Sequence, residues 1–477
     1  MLATNKRRDF TEGPLFWRIT AFALPIMMTG LLQIAYGMAD NIVVGQFSGN
    51  PNALAAVGCT SSLTTLIINL LLGLSAGTGV VVAQLYGAKN DRGVSRAVHT
   101  ALIMALVGGL AFMGLGLAVS RPALTLMGTK PEILDLSVLY VRIICIGIPA
   151  NAIYNFGAAI LRATGDSKSP LIILSSTGLV NVLLNLLFVI VFNMSVSGVA
   201  IATITAQYLS AISVVTVLAN KKGASFRFEF SKLCFDVVQF KKISRFGVPS
   251  GLTGAMFSIS NIFLASAVNT FPTTTVTANT IAGNVDALTY TAMNSFYQAS
   301  MTFTAQNYGA YKLGRIKKSI IYCLVQVVAV GSVVSGLELI FMDRIIGFYL
   351  DKSDPSYMTV LETARGLITM LLLAYIVCGL MDTMSGALRG MGCALPPMLV
   401  SIGCICGLRL LWIFVIFPLE PMHTIVGLYV SYPISWTAAF IGMSVIAIFT
   451  LRRVKRMCEV HSEHTAPDVV TVGEDRT

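Results

Sequence analysis

Charge is scarce in this chain. Asp, Glu, Lys and Arg make up 12% of its 477 residues, about half the share found in a soluble domain. So few charges cannot clothe a water-facing surface, which excludes an ordinary soluble protein. Histidine is rarer still: His99, His423, His461 and His464 are the only four. None joins a Cys, Asp or Glu at ligand spacing, so no metal site is expected. The nine cysteines lie in apolar runs or basic segments and form no disulfide framework; they read as small apolar filler or free thiols. There is no HExxH, GxSxG or acid dyad, which speaks against a membrane-embedded enzyme, and no cofactor is expected. The first apolar run is too long, and lacks the small-residue cleavage site, for a removable signal.

What the chain has instead is apolar length. Hydrophobic residues make up 55% of it and the mean hydropathy is +0.77. The apolar runs reach about 20 residues or more, enough to cross a bilayer as helix. They predict an all-α polytopic protein with twelve transmembrane helices, at 15–44, 52–86, 94–119, 132–162, 169–192, 198–219, 243–270, 275–306, 316–341, 357–388, 396–417 and 424–450. The net charge of +11 does not point to nucleic acid, because the cations gather in alternate connections. One set holds Lys6, Arg7 and Arg8, Lys89, Arg92 and Arg96, Arg162 and Lys168, the segment 220–242, Lys312 to Lys318, Arg389, and Arg452 to Arg456. The other holds only Arg121, Lys130, Arg344 and Lys352. By the positive-inside rule both termini lie in the cytoplasm and the protein is multi-pass in the cell membrane, in contact with lipid.

The chain also repeats itself. AQLYGAKNDRGVSRAV from Ala83 returns as AQNYGAYKLGRIKKSI from Ala305, 222 residues later. AILRATGDSKSP from Ala159 is matched by ALRGMGCALPP from Ala387, and Pro25 by Pro249. The organisation expected is an N-terminal six-helix lobe (1–219), a basic cytoplasmic linker (220–242), a C-terminal six-helix lobe (243–450) and a disordered tail (451–477). Six spans each give the halves one orientation and a pseudo-twofold along the membrane normal. Nothing points to an oligomer, so a monomer is expected.

Together the Pro25 helix ending in ADNIVVG, the two AQ-x-YGA segments, AILRATGD, ALRGMG and GVAIAT resemble the multidrug and toxic compound extrusion family across about 430 residues. Their order and duplication carry the resemblance more than any one motif. It implies export of organic, cationic, drug-like compounds in exchange for H+ or Na+ by alternating access between two lobes.

In the first span Gln33, Tyr36, Gly37 and Asp40 share one helical face, and Asp40 is the only acid in that run. A carboxylate at membrane depth costs several kcal/mol, so it should face a wet cavity or the bundle interior. Thr177, Asn181 and Asn185 share a face of span five. Asp40, Asn185 and Thr203 come out at similar depth, and a carboxylate, amides and a hydroxyl can hold a proton or a small cation. Residues matching Asp40, Asn181 and Thr203 form the ion-linked site in the family resembled; several members carry an acid where Asn185 stands. Interhelical hydrogen-bond glue is the plain alternative for both asparagines.

The acid is not repeated at its C-terminal counterpart near Leu264. Asp286 and Asp382 stand elsewhere, and Tyr290, Asn294, Tyr297 and Gln298 make span eight unusually polar. With Gln33, Tyr36 and Gln207 they are the candidate lining of a substrate cavity. For Asp382 the competing reading is a salt bridge to Arg389, two turns on. Glu338 reads as interfacial, and Arg142, Arg365 and Arg409 as snorkelling or paired. Pro25 and Pro249 should kink their helices, and GLSAGTG from Gly73 suggests close helix packing. A flippase for a lipid-linked precursor is the alternative on the same fold. It should place several basic groups at cavity depth, whereas the central spans offer acids and amides. A channel is a further alternative, against which the duplicated halves speak.

Overall fold

The computed structural model describes residues 9–48, 52–349 and 355–465. Lys6, Arg7, Arg8, Lys352 and tail residues 466–477 lie outside the described residues. Twelve long helices run through the rest: α1 (Leu15–Phe47), α2 (Ala53–Gly87), α3 (Asp91–Leu126), α4 (Pro131–Ala163), α5 (Lys168–Val191), α6 (Ser195–Asn220), α7 (Val237–Val268), α8 (Thr273–Gly309), α9 (Leu313–Ile340), α10 (Tyr357–Gly390), α11 (Leu395–Ile416) and α12 (Ser431–Thr465). Eleven of the twelve are apolar enough to cross a membrane. The other, α8, has the length at 37 residues, but its polar side chains offset its hydropathy.

Expected and observed ends differ where capping extends a helix. The α3 helix starts at Asp91, not 94, because the Asn90 side chain accepts from Gly93 N at 2.9 Å. The larger correction is at the C-terminus: residues 451–465, expected in the disordered tail, continue α12. Hydropathy misses this segment because its charges face outward while Val454, Met457 and Cys458 pack onto the C-terminal core. Tyr311 stacks on His461 with ring centroids 4.0 Å apart. Both fifth helices of the repeat, α5 and α11, wind into π-helical turns near their ends, at Leu187–Val191 and Trp412–Ile416. Such turns shift the side chains beyond them to a new face.

The sequence halves are not self-contained in space. The first part of α1 (Leu15, Ile19, Phe22, Ala23, Ile26) packs in the C-terminal core, whereas Val43 and Val44 at its far end pack on Val189, Val196 and Val199 of α5 and α6. Pro25 lies at the inner end of the first attachment, next to Ile26. The α7 helix mirrors this. Ile243 and Phe246 join the N-terminal core, while Leu264, Ala267 and Val268 pack on Ile413 and Phe417 of α11, with Pro249 between. Each proline removes one helical N–H donor. One turn further on, Thr29 and Thr253 donate to the carbonyls of Pro25 and Pro249 at 2.7 and 2.8 Å.

The lobes meet on the side carrying the basic α2–α3 and α8–α9 connections. There α2 and α7 run backbone to backbone: a methyl group added at Gly77 would sit 2.5 Å from Gly247 N, the close packing expected of GLSAGTG. The repeated AQ-x-YGA segments also lie on one another. Gly87 abuts the Gln306 carbonyl and Gly309 the Gln84 carbonyl. Gln84 Nε2 donates to Gly390 O at 2.9 Å and Gln306 Nε2 to Ala163 O at 2.7 Å. Each glutamine thus grips the end of the other half's fourth helix.

Candidate functional site

Helical period brings the first cluster together. Asp40 stands near the C-terminal end of α1, Asn181 and Asn185 one turn apart on α5, and Thr203 two turns into α6. Asn185 Nδ2 donates to Asp40 Oδ1. Thr203 Oγ1 is 3.5 Å from Asp40 Oδ2, Asn181 Nδ2 is 3.5 Å from Thr203 Oγ1, and Asn185 Nδ2 is 3.4 Å from Asn181 Oδ1. Both asparagines are buried and Asp40 is half-buried. Among the described residues no Lys or Arg reaches ion-pair distance of Asp40, and Asn185 Oδ1 is buried without a hydrogen-bond partner. The set therefore offers one carboxylate and a spare amide oxygen, with no fixed counter-charge. That arrangement suits an exchangeable proton or small cation. The apolar cluster of Val43, Val44, Val189, Val196 and Val199 lies beyond it toward the end of α1.

A second feature is a cavity of about 340 Å³ between the lobes, walled by α2, α4, α7, α8, α10 and α11. Tyr290, Asn294, Tyr297, Gln298 and Asp382 line it, as the polar side of α8 suggested. Four other candidates for the substrate cavity stand elsewhere. Gln33 is exposed. Tyr36 turns into the N-terminal lobe, where its hydroxyl donates to Ser175 O at 3.2 Å and its ring fills the notch left by Gly178. Gln207 packs against Gly147, its Oε1 buried and unpartnered. Asp286 faces the interior of the C-terminal lobe, beside the Tyr375 hydroxyl and within electrostatic reach of Arg409. A shared helix face gives direction around the axis, not which neighbour occupies that direction.

Three charge assignments also change. Asp382 and Arg389 form no ion pair. Arg389 is buried and donates from Nη1 to Ser250 Oγ and to the Tyr297 hydroxyl, both at 2.9 Å. Arg162 and Arg389, placed among the basic connections by sequence, line the cavity, so the space is not furnished by acids and amides alone. Glu338 is buried rather than interfacial, with Thr289 Oγ1 donating to it at 2.5 Å. Arg409 is buried against the Tyr432 ring, 3.9 Å from its centroid, and Arg365 pairs with Asp343 at 2.6 Å. All nine cysteines are free.

Two helical lobes related by duplication, a cavity between them and a half-buried acid held by amides in the N-terminal lobe define a polytopic membrane transporter. The comparisons carry this to a family: residues 25–187 and 249–415 match the MatE family model, and the chain belongs to that family. It is 26% identical over 450 residues to the probable multidrug resistance protein YoeA of Bacillus subtilis, spanning 92% of this chain and 94% of that one. It is 25% identical over 398 residues to the probable multidrug resistance protein NorM of Thermotoga maritima, spanning 81% and 82%. The fold matches a structure described as the outward-facing conformation of a multidrug resistance MATE family transporter, with a TM-score of 0.85, 21% identity, and 95% and 99% coverage. Members of this family are transporters, not enzymes.

Proposed function

We propose that this protein exports drug-like organic compounds, cationic ones among them, across the cell membrane in exchange for H+ or Na+, with both termini in the cytoplasm. The observation that carries the reading is Asp40: half-buried, held by Asn185 and Thr203, and without a fixed cation among the described residues. An acid kept at such cost without a counter-ion is suited to changing its charge state during a cycle. Support also comes from the lobe contacts, which gather on the basic side around the paired AQ-x-YGA segments. The relatives named for multidrug resistance point to the same cargo class.

In this reading a proton or sodium ion and the organic compound compete through the lobes' conformation. Binding at Asp40 is felt along α1, whose first half is fixed to the C-terminal core. The test is Asp40→Asn in proteoliposomes. The amide keeps the shape and can still accept from Asn185, so the protein should fold and melt within a few degrees of the parent. Dye efflux driven by an imposed pH or sodium gradient should vanish. Gradient-driven efflux at the parental rate would remove Asp40 from the coupling.

A further inference from the structure

Arg162 and Arg389 hold matching places in the duplicated halves, in the Leu-Arg steps that end α4 and α10. The fold turns both onto the same inter-lobe cavity. Arg389 spends one nitrogen on Ser250 and Tyr297, while its Nε is buried with no acceptor. Among the described residues no carboxylate comes within ion-pair distance of either guanidinium, although Asp382 lines the same space. Two guanidinium groups facing one partly apolar pocket, with Asp382 as its one lining carboxylate and at ion-pair distance of neither, leave positive charge unanswered, and planar guanidinium forks match a carboxylate in geometry and charge.

We propose that this cavity is an anion-accepting subsite for the cargo: Arg162 and Arg389 hold a carboxylate of the transported compound, Ser250 and Tyr297 orient Arg389, and Asp382 receives a positively charged group on the same molecule. The ligand class is then a zwitterionic organic compound rather than a simple cation. This rests on the export reading above for its cargo, but not for its chemistry.

A matched dye pair tests it. Rhodamine 110 carries a free carboxylate, and rhodamine 123 is its methyl ester, so the two differ at the group in question. Binding is followed by fluorescence anisotropy on the full chain in nanodiscs of phosphatidylcholine alone, which removes anionic headgroups as competitors. The parent should bind rhodamine 110 about tenfold tighter, the scale of one charge-assisted bidentate contact. Arg162→Gln and Arg389→Gln should each bring the ratio toward one while leaving rhodamine 123 within about threefold. Among the described residues the Arg162 side chain makes no hydrogen bond, so Arg162→Gln reads the site even if Arg389→Gln loosens α7 and α8; Arg389→Lys, which keeps charge without the fork, should fall between. Equal affinities in the parent, no binding of either dye, or a preference surviving both Gln variants overturns the subsite. Cellular extrusion of the two dyes separates the readings. Extrusion of both without a carboxylate preference defeats only the subsite, and a binding preference without extrusion of either defeats only the export reading.

Discussion

If the lobes rock, the contacts between the AQ-x-YGA segments must break on the basic side, and Gln306 is where their energy is concentrated. Its Nε2 donates to Ala163 O at 2.7 Å and its Oε1 accepts from Phe10 N at 3.0 Å, both bonds buried. Gln306→Ala leaves the Ala163 carbonyl and the Phe10 N–H unpaired, but Phe10 stays with Gln306 in the C-terminal core in either arrangement, so only the Ala163 carbonyl distinguishes closed from open. A buried unpaired group costs about 1–3 kcal/mol, and in the open arrangement that carbonyl meets water and the penalty disappears. The closed-to-open ratio should therefore fall by about 5- to 100-fold, at 1.4 kcal/mol per factor of ten. Gln84→Ala removes the part-buried 2.9 Å bond to Gly390 O, whose carbonyl is less cut off from water, and should shift the ratio less, toward about fivefold. Spin labels on Arg92 and Lys317, both exposed and one on each lobe, report the separation on the basic side by pulsed dipolar spectroscopy. The longer distance should gain population in the order Gln306→Ala, Gln84→Ala, parent. Unchanged distributions in both variants, with the proteins intact, would refute the idea that these glutamines hold the lobes shut.

The duplicated architecture was legible because hydropathy and charge alternate with the helices themselves. The Asp40 cluster was legible too: counting along α1, α5 and α6 places Asp40, Asn185 and Thr203 at one depth, and helix order makes them neighbours. What sequence could not supply was the partner across the interface. The repeat of AQ-x-YGA announces that Gln84 and Gln306 are equivalent, but not that each touches the other's half. Arg389 was read as a connection charge because it stands at a helix end, and that end lies inside the lobe contact. Glu338 was read by its distance from a span end, and only packing reveals Thr289 opposite it. The helical extension of α12 was hidden for a related reason, since its apolar stripe is too narrow to raise the local hydropathy.

Other expectations follow from the same contacts. Gly77→Ala puts a methyl group 2.5 Å from Gly247 N, where only backbone could yield; the α2–α7 seam should open, seen as raised thiol labelling of a cysteine introduced at Ser250. Outside the spans, burial raises the Asp166 carboxyl, but hydrogen bonds from the Ser169 hydroxyl and N–H and the Lys221 ammonium at 3.0 Å outweigh it and hold Asp166 below the usual carboxylate range. A depressed native value stabilises above the unfolded aspartate value near about 4 and is lost as pH falls through the native one. Asp166→Asn should therefore cost about 1–2 kcal/mol at neutral pH, and the melting difference from the parent should vanish in acid; a difference independent of pH would contradict the ion pair. Asn185→Asp addresses the coupling ion. Asn185 is the donor to Asp40, so the change removes that N–H and sets two carboxylates in contact. They cannot both stay ionised without a shared proton or a bound cation. Sodium should then stabilise the variant over equal choline chloride by about 1.4 kcal/mol once its concentration reaches roughly ten times the dissociation constant, seen as a raised melting temperature, with little effect on the parent if protons are its coupling ion. Indifference of the variant to sodium would mean that the space beside Asp40 does not admit a metal cation, leaving proton exchange as the chemistry open to Asp40.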